Sequence, residues 1–224
     1  MKIAIAQINT TIGDFDGNAD KIVDAWRRAD EAGAELVVLP ELALCGYPPR
    51  DLLAKPAFLR QNQAALESLT KRGGKAVAVV GYASANETDS GRPAQNSAAV
   101  LQDGQVAAVR HKTLLPNYDV FDEDRYFEPA TGNTPVEILG TKVGITICED
   151  IWNDEVFLHD RRYDRRPAEE LAGAGAELLL NLSASPWSLG KEHSRHVLLS
   201  QLSAKCGCPV VYCNLVGGND ELVF

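Results

Sequence analysis

Basic residues are scarce relative to acidic ones. Lysine plus arginine number 22 against 31 aspartates plus glutamates in 224 residues, a formal net charge of −9. A surface of that sign repels phosphate backbones, and no basic run is interleaved with aromatics, which argues against nucleic-acid binding. No apolar run approaches the roughly 20 residues of a membrane-spanning helix, so no membrane partner is expected. The opening MKIAIAQINTT has one lysine and an apolar stretch shorter than a signal-peptide core, and reads as a first strand. Cysteines are few and odd in number: Cys45, Cys148, Cys206, Cys208 and Cys213. With nothing to suggest secretion they read as free thiols in a reducing cytoplasm. Cys206-Gly207-Cys208 lacks a second pair or a histidine cluster at zinc-finger spacing. It reads as a helix end running into a strand, and no metal site is expected. Also missing are the dinucleotide glycine fingerprint, the Walker phosphate loop, the H-E-x-x-H zinc motif and the G-x-S-x-G elbow. Nucleotide binding therefore has no support in this sequence. No repeat, low-complexity segment or Pro/Ser-rich linker divides the chain, so one domain with one substantial core is the simplest count.

What is present alternates in period. KIAIAQI (2–8) is a nearly continuous apolar run, as expected of a strand covered on both faces. Asn18 precedes a helical pattern with Ile22, Val23, Trp26 and Ala29 on one face, closed by Gly33. ELVVLP (35–40) and KAVAVVGY (75–82) read as buried strands, and Pro56 opens a helix between them that ends at Gly73-Gly74. NSAAVLQ and QVAAVRHK flank Asp103-Gly104, a strong hairpin signal. A polar and aromatic loop spans about 113–134, followed by a second hairpin, VEIL to KVGITIC. A short helix from Pro167, a strand ELLLNLS (177–183), a helix over 191–205 and a strand CPVVYCN (208–214) follow, and ELVF begins one more strand. Parallel units at both ends with hairpins between them imply an α/β protein with mixed rather than all-parallel pairing.

Three polar residues share one placement, at or just past the C-terminal end of a predicted strand: Glu41, Lys112 and Cys148. Singly, each has a bland reading: a solvated glutamate, a surface lysine, a cysteine used as core filler. Together they suit one chemistry. A thiolate attacks an amide carbonyl, a carboxylate takes the thiol proton, and an ammonium steadies the oxyanion. No histidine is required. His159, His193 and His196 lie in charged or helical segments, and His111 is expected on the opposite face of the strand from Lys112.

The blocks LPELALCGYPPRDLL, HKTLLPNYDVFDEDRYF, GITICEDIW and NLSASPWSLGK closely resemble the nitrilase-type glutaminase domain of glutamine-dependent NAD synthetases, in order and over essentially the whole chain. The resemblance implies a four-layer α-β-β-α sandwich. Glu41 would be the general base, Lys112 the oxyanion stabiliser and Cys148 the nucleophile. It further implies that Glu123 is a second carboxylate supporting the lysine and the substrate's amino group. Tyr118 and Phe121 would line a glutamine pocket, with Ser185 and Lys191 near the substrate's α-carboxylate. Some relatives carry arginine at the position of Lys191, and a lysine offers a point charge without the bidentate fork. Glu149 and Asp150 are expected to order the turn after the nucleophile by local hydrogen bonds rather than to act as acid or base.

The same resemblance implies no cofactor in this domain, with ATP and magnesium used by a C-terminal synthetase domain that lies outside 1–224. The domain itself is expected to be incomplete at its C-terminal end. The partners implied are L-glutamine, that synthetase domain of the same protein and further copies in a homo-oligomer, all in the cytoplasm. Two competing readings remain: a stand-alone amidase acting on a small ω-amide or carbamoyl compound, and a non-catalytic scaffold, against which the intact triad argues. The charged stretch HDRRYDRRP (159–167) reads as a solvated loop or as an interdomain or subunit contact.

Overall fold

A computed structural model describes residues 1–88, 90–153 and 163–224. Strands β1 (Ile3–Ile5), β2 (Leu36–Val38), β3 (Val77–Ala85), β4 (Ala94–Gln102) and β5 (Gln105–His111) form one sheet in that spatial order. The first three run parallel, and β3, β4 and β5 are antiparallel neighbours. Helices α1 (Phe15–Glu31) and α2 (Pro56–Arg72) supply the crossovers that parallel pairing requires. The second sheet has the order β6 (Val136–Ile138), β7 (Thr141–Ile147), β8 (Leu178–Ser183) and β9 (Val210–Asn214). Its first pair is a hairpin, and β7, β8 and β9 are parallel, with α3 (Pro167–Gly173) and α4 (Lys191–Cys206) beside them in sequence.

Strand alternation assigns each face. Val37, Leu39, Ala78, Val80, Tyr82, Ala99 and Leu101 point to α1 and α2. Their neighbours Leu36, Val38, Val77, Val79, Ala98 and Val100 meet Val143, Ile145, Ile147, Leu178, Leu180 and Leu182 of the second sheet. Leu179 on the far side packs with Leu171 of α3 and with Leu198 and Leu202 of α4. A buried Val, Leu or Ile contributes about 1.5–3 kcal/mol, so this inter-sheet layer can carry a strained and charged site at its rim.

Three expectations need correction. The first strand is shorter than 2–8 and is not covered on both faces. It is the edge of its sheet, and Ile5 is 52% exposed. Helix α1 begins three residues before Asn18, capped by Asp14, whose Oδ1 accepts from the Gly17 amide at 3.0 Å. Asn18 is instead buried in the first turn, donating to the carbonyls of Thr11 (2.7 Å) and Leu44 (3.2 Å). ELVF adds no strand to either main sheet: β10 (Gly218–Asn219) and β11 (Leu222–Val223) pair only with each other. Among the described residues no helix is long and apolar enough to cross a membrane.

Candidate active site

The first carboxylate is placed by a tight turn. After β2 the chain enters a turn over residues 41–45 in which Leu42 takes the left-handed φ of 48°. That turn lies against Gly81 of β3, where a Cβ would stand 2.3 Å from the Pro40 carbonyl and 2.5 Å from the Leu42 amide. Only glycine lets the backbone come so close. Leu44 donates to the Gly81 carbonyl at 3.1 Å, and Asn18 holds the Leu44 carbonyl from the other side. Glu41 is fully buried. Its Oε1 accepts from Lys112 Nζ and Asn96 Nδ2, both at 2.7 Å, and its Oε2 accepts from the Ala184 amide at 2.8 Å.

Lys112 immediately follows β5, its amide donating to the Asn96 carbonyl at 2.8 Å, so the β4–β5 pairing aims both side chains at the second sheet. The ammonium is 1% exposed as a residue and reaches Glu41 Oε1, Glu123 Oε1 (2.9 Å) and Glu123 Oε2 (2.7 Å). Glu123 comes from a single 3-10 turn, Glu123–Arg125, and also accepts from the Tyr47 hydroxyl at 2.9 Å. Burial alone would lower the Lys112 pKa, but Glu123 and then Glu41 reverse that and hold it well above its ordinary value. One ammonium cannot neutralise two buried carboxylates. Burial accordingly pushes Glu123 up to about 7 against the pull of Lys112.

β7 ends at Ile147, and Cys148 opens a 3-10 turn, Cys148–Ile151, with a left-handed φ of 42°. A non-glycine residue in that region is strained by roughly 1–2 kcal/mol, and such strain concentrates at functional sites. The turn is fixed by Asp150, which accepts from the Ile147 amide (2.9 Å) and from the amides of Thr113 (3.0 Å) and Leu114 (2.8 Å). Asp150 thus behaves as expected, and it also ties the cysteine turn to the chain just after Lys112. Burial pushes it up to about 6 despite those donors. Glu149 departs from the expectation. Its carboxylate makes no hydrogen bond within the turn. It accepts from the Tyr118 hydroxyl at 2.8 Å and the Tyr163 hydroxyl at 3.1 Å, bridging two distant loops. Cys148 is 5% exposed, and burial followed by the Glu41 charge raises its pKa well above the ordinary thiol value. The resting group is a neutral thiol. Attack requires a base to take its proton.

Among the remaining predicted residues, Tyr118 stacks edge-on to Phe121 at 5.7 Å between ring centroids. Phe121, Glu123 and Tyr47 line a cavity of about 310 Å³ that opens beside the ion cluster. Ser185 is buried just past Ala184, its amide donating to Asn214 Oδ1 at 2.9 Å. Lys191 opens α4 with Nζ 5.7 Å from the centroid of Trp152. Burial, then Arg195, lowers its pKa, while Cys148 is the first of the groups that raise it. His111 faces away from this centre, its Nδ1 2.8 Å from Ser97 Oγ, as alternation along β5 requires. Cys206 ends α4 and Gly207 takes φ 68° before β9, as read for the Cys-x-Cys stretch. His159 and residues 159–162 of the charged stretch lie outside the described residues. In its remainder, Arg165 donates to the Ala130 (3.1 Å) and Thr131 (2.9 Å) carbonyls and pairs with Glu170, which ties this side chain to its own chain, while Asp164 is exposed.

Sequence reasoning missed Asn96, Tyr47, Tyr163 and the Ala184 amide. A signal for Asn96 was available: it is the polar member of a β4 face that otherwise reads Ala98, Val100. A backbone amide such as that of Ala184 leaves no trace in residue type.

A family model for carbon-nitrogen hydrolases matches residues 2–224. The glutamine-dependent NAD(+) synthetase of Synechocystis sp. is 44% identical over 226 residues, covering 99% of this chain and 40% of that protein. The structure of the glutamine-dependent NAD+ synthetase of Acinetobacter baumannii, solved with adenosine diphosphate, superposes with a TM-score of 0.86 at 36% identity, over 99% of this chain and 39% of that one. An amidase of the nitrilase superfamily from Nesterenkonia AN1 shares the fold at TM-score 0.80 and 24% identity, over 100% of this chain and 79% of that one. The chain spans about 40% of the length of the synthetases it matches. It has the mixed α/β fold of the nitrilase superfamily, and it belongs to the carbon-nitrogen hydrolase family.

Proposed function

We propose that this chain is the glutaminase part of a glutamine-dependent NAD(+) synthetase, a four-layer α-β-β-α domain that hydrolyses the side-chain amide of L-glutamine. The ammonia would supply an ATP- and magnesium-using synthetase domain of the same protein, in the cytoplasm. The observation that carries the reading is the sealed Glu41–Lys112–Glu123 cluster at the end of the strand that presents Cys148. Identity to the synthetases along nearly the whole chain supports the choice of substrate.

The chemistry follows from the contacts. Glu41 takes the thiol proton as Sγ attacks the amide carbon. Lys112 has three N–H bonds, all engaged with carboxylates. The developing oxyanion takes one by displacing the longer contact to Glu123, so the ammonium is already oriented when charge appears. The tetrahedral adduct collapses with C–N cleavage, and Glu41 returns its proton to the departing ammonia. Water then attacks the thioester, giving its proton to Glu41, and the thiol leaves reprotonated. The sum is amide plus water to carboxylate plus ammonium. Tyr118, Phe121 and the 310 Å³ cavity would hold the amino-acid end, with Ser185 and Lys191 toward its carboxylate.

The test is ammonia release by the intact protein from L-glutamine beside a panel of small ω-amides and carbamoyl compounds. Clear preference for L-glutamine is expected. Preference for another amide would replace this reading with the stand-alone amidase, and no release from any would end the enzyme reading.

A further inference from the structure

Glu41 is held by donors from two different layers. Its Oε1 accepts from Asn96 of β4 and from Lys112 just past β5, both elements of the first sheet. Its Oε2 accepts from the Ala184 amide, one residue beyond β8 in the second sheet. Within that sheet Ile147 pairs with Leu182, so Cys148 and Ala184 leave neighbouring strand ends. A carboxylate oxygen has two in-plane acceptor positions. Among the described residues, Oε1 has both filled, while Oε2 has one filled and one open. The open position is thus on the oxygen bonded to the sheet that carries the thiol.

We infer that Asn96 is a positioning residue for the proton transfer: by filling the second acceptor position of Glu41 Oε1, it leaves Oε2 as the sole acceptor for the Cys148 proton. This rests on the reading of Glu41 as general base. A second observation supports it. The Asn96 carbonyl oxygen Oδ1 is buried with no hydrogen-bond partner among the described residues. An apolar side chain would avoid that orphaned acceptor, which costs stability. The fold tolerates it where the other end of the amide grips the base. The amide orientation is also dictated: a flip would set Oδ1 against Glu41 Oε1, acceptor on acceptor.

The experiment measures kcat and KM from pH 5 to 9 for the intact wild-type protein, Asn96→Ala, Asn96→Asp, Glu41→Gln and the Asn96→Ala/Glu41→Gln double variant. The substrate is the amide that wild type turns over best. For Asn96→Ala the account expects kcat to fall on the order of 10–100-fold, the equivalent of one hydrogen bond to a charged group, with KM within about threefold. Asn96→Asp, the same shape without the donor, should fall further at pH 8. The double variant should be no slower than Glu41→Gln alone, because Asn96 acts only through that carboxylate. A merely structural role would multiply with Glu41→Gln in the double variant, and that result overturns the inference. If Glu41→Gln is itself near normal, the reading of the base fails, and this inference with it. If Glu41→Gln is inactive while Asn96→Ala and Asn96→Asp keep wild-type profiles, only the inference fails.

Discussion

Two faces of the same strand pair differ sharply in what they carry. On the face toward the second sheet, Asn96 and Lys112 join Glu41 and Glu123 in a sealed cluster of one ammonium and two carboxyl groups. On the face toward α2, their immediate neighbours Ser97 and His111 form a neutral hydrogen-bonded pair, extended to Ser84 at 2.8 Å. That second face lines the larger cavity, about 890 Å³, walled by Leu59, Tyr82, Val109 and His111. The larger opening has one imidazole whose pKa burial lowers, with Arg60 and Glu87 also in its lining but not paired with each other among the described residues. The smaller opening is lined by Glu123, whose carboxylate holds the Lys112 ammonium, while Glu41, Lys112 and Cys148 lie outside its lining. On the proposed reading, converging charge rather than volume marks the reactive face, and period-two alternation keeps the two faces apart.

The contrast can be broken by substitution. Cys148→Ala should abolish glutamine-driven ammonia release, while synthesis from added ammonia in the complete synthetase survives, since only the thiol forms the acyl intermediate. Surviving release would reject the nucleophile. Lys112→Ala and Glu41→Gln should each cost on the order of 10²–10³ in rate. The lysine variant should also lower the denaturation midpoint, because it leaves two carboxylates buried without their cation. A near-normal rate in either would point to a different base or oxyanion site.

Glu123 offers a subtler probe. Its folded-state pKa is raised by burial to about 7 from an ordinary 4.5. The folded state therefore favours its protonated form. The resulting stability is fully present below about 4.5 and is lost as pH rises through about 7. Urea unfolding at pH 5 and pH 8 should show wild type losing more stability than Glu123→Gln between the two. Parallel pH dependence in the two proteins would remove this account of the cluster's charge. The smallest effect is expected on the other face. His111→Ala should leave glutamine hydrolysis within about threefold of wild type, since Ser97 keeps Ser84 as its partner. A loss comparable to that of Lys112→Ala would mean the two faces are not separate.

Much of this arrangement is legible in the sequence. Hairpins at Asp103-Gly104 and at the VEIL stretch, the helix from Pro56 and the strand leading to Cys148 all form as their turn residues and alternation demand. Glu123 reaches Lys112 as the resemblance implied, Glu41 joins them, and Asp150 orders the turn after Cys148 as expected. What escaped notice depends on the third dimension. Asn18 looks like a helix cap in sequence, but its amide reaches Leu44, 26 residues away, and Asp14 takes the cap. Glu149 looks local and is instead the acceptor shared by Tyr118 and Tyr163. ELVF has a strand's composition but meets only its own hairpin partner. Long-range polar partners such as Asn96 and Tyr47 are chosen by packing, which periodicity does not encode.

The central claim is that Cys148, and no other thiol, is the nucleophile toward glutamine. Exposure alone points elsewhere: Cys206 is half-buried while Cys45, Cys148, Cys208 and Cys213 are buried. Labelling the intact protein with a glutamine analogue that carries a diazoketone in place of the amide, then mapping the modified peptide by mass spectrometry, separates accessibility from chemistry. The account predicts one label per chain, on Cys148, blocked by L-glutamine and slowed in Glu41→Gln. A label that goes to Cys206 instead, or that L-glutamine does not block, would contradict it.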